Sequence, residues 1–393
     1  MRTYSFPRRH RRWFLGVLCA ASLALTACGT GDGGGDDEAA EADGEQSQVD
    51  ESAFYYDKEL EIIVPFEAGG GTDSEARFMA PFLQEHIPGS PTVGVVNISG
   101  AAGTIGNNQF ALEREHTEAT SVLYSSASSF LPWIFEEPAL ELNYDDLVGN
   151  FVSQVGGIVY VRCDTGIDGP EAFVEQAQDM QWVAGEQTPD SLGAHLLLAY
   201  DMLGLEHNAV MGFEGRGPAR VAFEQGELNI NWDTSPSVPS DVDPLIEDGV
   251  ACPVFTIGQA SEDTLEADAM FSEEPYNLPT FAEIYEQIHG EPPSGPEWDA
   301  YLALTRAGWT NQKVMWLHKD APPEAVEQLR AGFEAMTEDP EFQSQAEELL
   351  GPHPKLVGDD VDPAVDGLRD FPEDIRNWIM DFLVENYDHP DPR

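Results

Sequence analysis

The chain has 393 residues, 41% of them hydrophobic and 10% aromatic, with 8 Trp. That is enough apolar material to bury a real core, which excludes global disorder, and the length suggests two domains. With 72 acidic against 19 basic residues the formal net charge is -53, which argues against nucleic-acid binding, since phosphate contacts need clustered Lys and Arg. The acids are spread along the whole chain, as a solvated surface suited to high salt would have them. At ~1 M salt the screening length is only about 3 Å and self-repulsion is muted, so a halophilic or salt-tolerant host is expected.

Residues 1–27 read as a signal peptide. Arg8, Arg9, Arg11 and Arg12 precede an apolar stretch over 13–27 that ends in Leu25-Thr26-Ala27-Cys28, the pattern of a lipobox, with Cys28 as the lipidated residue. Arg11-Arg12-Trp13-Phe14-Leu15 also resembles a twin-arginine export signal. An ordinary signal peptide with a chance Cys is the alternative. Residues 28–54 are Gly-rich, acidic and almost without apolar side chains, a flexible tether by composition. No later segment approaches a membrane span, so the protein is expected on the outer face of the cell membrane, held by its lipid.

The first folded elements are a strand over 60–65, a helix over 73–86 with Thr72 or Asp73 as N-cap, a strand over 92–98, a helix over 105–114, a strand over 121–124 and a loop over 125–129. A second portion offers strands at 157–162, 181–184, 209–211, 227–232 and 251–257, with helices at 170–180, 192–203 and 218–225. From residue 280 onward helices dominate, at 281–288, 324–337, 341–350 and 361–386, with a Pro-rich loop over 291–296. The alternation of strands and helices predicts an α/β fold on parallel sheets with right-handed crossovers.

Two turns carry the functional argument. Gly69-Gly70-Gly71 lies between the first strand and the first helix, and Gly100-Ala101-Ala102-Gly103 lies between the second strand and the second helix. Residues without Cβ bulk let main-chain N–H groups approach a ligand, and a helix N-terminus adds unpaired donors with partial positive charge. Such a turn binds an anion without Lys or Arg, at the carboxyl end of a strand where α/β sheets take ligands. Tight packing is the alternative role for either turn. No Lys-Ser/Thr pair follows the glycines, so a phosphate loop is not supported.

The segment Ile63-Val64-Pro65-Phe66-Glu67-Ala68-Gly69-Gly70-Gly71-Thr72-Asp73, the segment Val96-Asn97-Ile98-Ser99-Gly100-Ala101-Ala102-Gly103-Thr104, then Ser191-Leu192-Gly193-Ala194-His195-Leu196 and Gly212-Phe213-Glu214-Gly215-Arg216-Gly217-Pro218-Ala219 occur in this order. Together they resemble the substrate-binding proteins of the tripartite tricarboxylate transporter family over about residues 60–350. Glu214 replaces the Lys that the family carries in the last of these loops, and Ile98 and Ser99 replace a basic residue and Pro. The stretch 259–306 is longer than the family norm.

The resemblance implies a two-lobed type II periplasmic-binding fold, each lobe a mainly parallel sheet flanked by helices. One lobe would be 55–158 plus 256–393 and the other 159–255, joined by crossing strands at 157–162 and 251–257. It implies a small carboxylate ligand held by Ala68, Gly69, Gly70, Thr72 and Asp73 on one side and by Ala101, Ala102, Gly103 and Thr104 on the other. Ser125 and Ser126 would add hydroxyls. Ser191, His195, Phe213, Gly215, Arg216 and Asp233 would come from the second lobe, with Arg216 meeting a second carboxylate. His195 has an equal claim to a packing role and Asp233 to a strand-end cap, while Arg77 is expected in a structural ion pair. The implied partners are one large and one small membrane subunit of a transporter, for a monomeric receptor; a sensor subunit is the other possibility within the class.

Hinge strands at those positions would bring Cys163 and Cys252 together, and a disulfide is expected, two buried thiols being the alternative. An extracellular hydrolase is the rival class. Gly-x-Ser-x-Gly, His-Glu-x-x-His and any zinc-spaced Cys/His cluster are absent from the sequence, so neither catalysis nor a cofactor or metal is expected.

Overall fold

The computed structural model describes residues 50–261 and 264–393. The export signal, Cys28 and most of the tether lie outside these residues. The fold begins earlier than residue 55: Ala53 is buried, and the Phe54 N–H donates to Gln328 Oε1 at 3.0 Å.

The strands are β1 (Glu59–Val64), β2 (Thr92–Asn97), β3 (Ser121–Ser126), β4 (Leu147–Ser153), β5 (Gly157–Arg162), β6 (Gln181–Glu186), β7 (Glu206–Met211), β8 (Ile230–Thr234), β9 (Ala251–Thr256), β10 (Gln259–Ser261), β11 (Thr264–Glu266), β12 (Lys313–His318) and β13 (Lys355–Leu356). The α-helices are α1 (Gly71–His86), α2 (Thr104–Glu113), α3 (Ala127–Ile134), α4 (Pro170–Gln176), α5 (Gly193–Met202), α6 (Arg216–Glu224), α7 (Asp243–Glu247), α8 (Phe281–His289), α9 (Pro296–Thr305), α10 (Pro323–Glu338), α11 (Pro340–Leu350), α12 (Val361–Arg369) and α13 (Glu373–Tyr387).

One sheet runs β13-β4-β12-β3-β1-β2, a second β8-β5-β9, and β6 pairs with β7. The β1–β2, β1–β3 and β6–β7 ladders are parallel, as the βαβ rhythm requires. The ladders of β12 with β3 and β4, and of β5 with β8 and β9, are antiparallel, so the six-stranded sheet is mixed and the three-stranded sheet antiparallel, rather than mainly parallel. Returning segments cause the difference. β12 arrives from the C-terminal half and inserts between β3 and β4, where the sequence reading placed no strand.

Side-chain alternation places the core. Leu60, Ile62 and Val64 of β1 face one apolar cluster with Met79, Leu83, Leu329 and Phe333 from α1 and α10, while Ile63 faces the other. On β12, Met315 and Leu317 join the first cluster and Val314 and Trp316 the second. The second cluster continues into β5, α5, β8 and β9 through Val159, Leu196, Trp232 and Phe255, so the two sheet layers share one apolar interior.

The serine run after β3 begins α3 instead of forming a loop, with Ser126 and Ser129 as a capping box. The long C-terminal helix is broken at Asp370–Pro372 into α12 and α13, because Pro removes a helical donor. Cys163 and Cys252 form a disulfide, with Cα atoms 5.2 Å apart, beside the register pair Val161–Cys252 of β5 and β9.

Candidate functional site

Below Pro65 the chain leaves β1 and turns into α1. Gly70 is the N-cap and lacks a side-chain cap. Asp73, expected to cap the helix, instead accepts the Gly69 N–H at 2.9 Å and pairs with Arg77 at 2.9 Å, while Asn97 Nδ2 donates to its other oxygen at 2.9 Å. Gly69 sits at φ +84°, open to glycine without strain. The first-turn N–H groups of α1 are left without helical acceptors.

They face a narrow cleft between the two layers, whose 420 Å3 of space includes open solvent. Gly70, Gly71 and Thr72 form its floor, with Ser126 and Ser128 from the start of α3. Gln187, Leu192, Gly215, Arg216, Trp232 and Thr234 close it from the second layer, and Gln312 and Lys313 from the approach to β12. A Cβ on Gly71 would collide with the Thr234 hydroxyl, so glycine is required for the two layers to meet here.

The cations of the wall are already engaged. Arg216 donates to Trp232 O at 2.9 and 3.1 Å, to Gly185 O at 2.8 Å and to Asn231 Oδ1, and its guanidinium stacks 3.9 Å from the Trp232 ring. Glu186 lies 3.6 Å away. Burial raises its carboxyl pKa, against the Arg216 charge and the hydrogen bond from Trp232. Lys313 Nζ donates to Glu75 Oε2 at 2.8 Å and to Gly71 O at 3.2 Å. At the rim, hydrogen bonds with Ser99 and Glu214 hold Glu67 below the usual carboxylate range.

Neutral groups are the ones left with free capacity. Gln187 Nε2 and Gln312 Oε1 are buried and have no hydrogen-bond partner, although native interiors rarely leave such atoms unpaired. A ligand with polar groups at both ends would satisfy them. Neither glutamine was singled out from sequence, because an isolated Gln carries no motif; only the fold brings 187 and 312 to one wall.

Of the residues expected from sequence, Gly70, Thr72, Ser126, Gly215 and Arg216 line this cleft. The second turn does not. Ala102 and Gly103 are packed inward, where a Cβ on Gly103 would press on Ser129 and Pro65, and Ala101 and Thr104 line a separate cavity facing Glu137 and Asp190. In this structure the two turns therefore line different cavities. Arg216 supplies its fork to main-chain carbonyls rather than to the cleft.

The other candidates are structural. Ser125 accepts from Trp316 Nε1 at 2.7 Å, and Ser191 donates to Thr188 O at 2.7 Å. Phe213 packs on Gly185. Asp233 binds Arg220 and the Tyr160 hydroxyl at 2.8 and 2.7 Å, and Arg220 reaches Gly69 O at 3.1 Å. Gly69 thereby serves as an anchor and, like Ala68, lies outside the cleft lining. His195 is wholly buried between Trp309 and Thr305. A chain Ser235–His353–Asp268, at 3.4 and 3.2 Å, has the order of a hydrolase triad. Ser235 and Asp268 are both fully buried and Ser235 accepts the Gly156 N–H at 3.2 Å, so no substrate atom reaches the hydroxyl.

No family model matches the chain. It is 29% identical over 192 residues to the protein BugT of Bordetella pertussis, a stretch that covers 47% of this chain and 57% of that one; the chain thus spans little more than half the length of this relative. The structure superimposes on the periplasmic binding protein BugD with a TM-score of 0.62 at 20% identity, covering 84% of this chain and 98% of that one. It superimposes on MatC of Rhodopseudomonas palustris, solved with bound malate, with a TM-score of 0.59 at 15% identity, covering 81% and 99%. The fold is therefore that of the two-lobed periplasmic binding proteins. Among the described residues no helix is long and apolar enough to cross a membrane.

Proposed function

We propose that the chain is the extracytoplasmic solute-binding receptor of a tripartite tricarboxylate-type transporter, capturing a small carboxylate in the cleft above α1. The observation that carries this reading is the pairing of a free helix N-terminus with two unpartnered buried amides in one cleft, where every neighbouring cation is already engaged. Main-chain N–H groups stabilise an anion at a helix start without a counter-charge, and the Gln187 amide supplies a further donor. Bound malate in MatC, which shares the fold, supports a carboxylate with a second polar group.

On this reading the lobes are 55–158 plus 256–393 and 159–255, and closure turns on the connections at 157–162 and 251–257. Cys28 carries the lipid, the acidic segment that follows it tethers the receptor, and the partners are two membrane subunits. The protein binds and releases its ligand without turnover.

The test is mass spectrometry of ligand released from the purified protein, followed by calorimetric titration with mono-, di- and tricarboxylates. A carboxylate binding once per chain, and at least about tenfold more weakly to Gly71→Ala, supports the proposal. Recovery of only sugars, or turnover of the bound compound, overturns it.

A further inference from the structure

The cavity beside the second glycine turn has a different chemistry. Glu137, from the turn after α3, Asp190, from the loop after β6, and His389, from the tail after α13, bring their ligand atoms within 4.8 Å of one another. All three line one cavity of about 570 Å3, partly open to solvent, together with Thr188. Asp190 is only 3% exposed and its Oδ2 has no hydrogen-bond partner. The Thr188 hydroxyl lies beside it in the same cavity. Asp190 is buried and Glu137 half-buried; two neighbouring carboxylates repel each other, and the buried one also loses hydration. A dication between them removes both penalties.

We propose that Glu137, Asp190 and His389 bind one divalent cation of the zinc type. An imidazole nitrogen with two carboxylate oxygens suits zinc and its neighbours rather than Ca2+ or Mg2+, which prefer all-oxygen shells. Three protein ligands leave a fourth tetrahedral position, within reach of water or the Thr188 hydroxyl. Ligand atoms about 2.0–2.2 Å from one zinc stand ~3.4 Å apart, so the present spacing closes with small side-chain movements.

The cation would pin the loop after β6 to elements flanking the large sheet. That loop begins at Gln187 and runs through Asp190 to Leu192, and Gln187 and Leu192 line the ligand cleft. Metal occupancy thus fixes the segment that presents the Gln187 amide, and cation and carboxylate strengthen each other's binding. This coupling rests on the receptor reading; the metal site does not.

The test is calorimetric titration of the chelator-stripped full chain with Zn2+, with Ca2+ as the comparison. One Zn2+ per chain is expected, with a rise in melting temperature. Losing an outer-shell partner alone costs about 10–100-fold in metal affinity, so Asp190→Asn and His389→Ala should each weaken binding at least that much. Asn preserves the shape of Asp, and residue 389 lies beyond the last helix, so both variants should fold; Glu137→Gln replaces either one whose circular dichroism melt is lost. Absence of stoichiometric Zn2+, wild-type affinity in these variants, or equal affinity for Ca2+ overturns the proposal. A carboxylate titration run with and without Zn2+ separates the two readings: a chain that takes Zn2+ and no carboxylate refutes the receptor, not the metal site.

Discussion

Lys313 Nζ lies 2.8 Å from Glu75 Oε2 with both side chains essentially out of water, joining the start of β12 to the second turn of α1 beside the cleft. Ser153 donates to the other Glu75 oxygen at 2.5 Å. Burial opposes ionisation of Glu75, yet the Lys313 and Lys355 charges and these hydrogen bonds outweigh it and hold the carboxyl below its usual range. Its contribution to stability is present above the unfolded carboxyl pKa and is lost as pH falls through the folded value.

Glu75→Gln should therefore destabilise by about 3–5 kcal/mol, because it leaves Lys313 buried without its partner; Lys313→Met should cost less, because Lys355 Nζ remains 4.0 Å from Glu75. The double variant should lose less than the sum of the two. Denaturant unfolding of the four proteins of this cycle measures both terms; strictly additive losses would mean that the pair is not coupled.

His195 gives a pH dependence of known sign. Trp309 Nε1 can only donate, and it meets His195 Nδ1 at 3.0 Å, so Nε2 carries the proton towards Thr305 Oγ1 at 3.0 Å. Burial pushes the imidazole pKa down to about 3. The unfolded chain takes up a proton near pH 6.5 and the folded chain does not, so stability is full above about 6.5 and falls below it. By pH 4 the loss from this group should reach about 3 kcal/mol. In His195→Gln the decline in unfolding free energy from pH 7 to 4 should be shallower by that amount. Parallel curves would show that the ring is charged in the folded state.

The Cys163–Cys252 bond closes a loop of 89 residues around the second sheet layer. In the chain-entropy account a loop of this size stabilises by about 4–5 kcal/mol. The paired Ser variant should unfold at markedly lower denaturant concentration. Peptide mapping without reduction should recover the two cysteines in one linked fragment.

Gln187 Nε2 has no hydrogen-bond partner within the protein. Gln187→Leu should thus leave the stability of the empty protein unchanged or slightly raised, while ligand affinity falls about tenfold, one hydrogen bond to a charged group being worth ~1.5 kcal/mol. Equal affinity in the variant would take Gln187 out of the site.

The first three strands and the glycine turn into α1 were legible in sequence because each is a local pattern: an apolar run, then glycines, then residues at helical spacing. β12 was not, since Lys313-Val314-Met315-Trp316-Leu317-His318 is buried on both faces and shows no alternation of polar and apolar residues. The two turns looked equivalent because their composition is similar. They differ in what packs on them: Thr234 and Lys313 over the first, Ser129 and Pro65 against the second.

The sequence by itself determined the α/β class, the order of the elements in the first half and a glycine turn at the head of α1, since propensity, periodicity and turn chemistry act over a few residues. Tertiary structure alone decided that Gln187 and Gln312 share one wall, that Arg216 is spent on carbonyls, and that Glu137, Asp190 and His389 meet. Those outcomes depend on contacts between segments tens to hundreds of residues apart, and no short-range pattern encodes which distant side chain will satisfy a buried polar group.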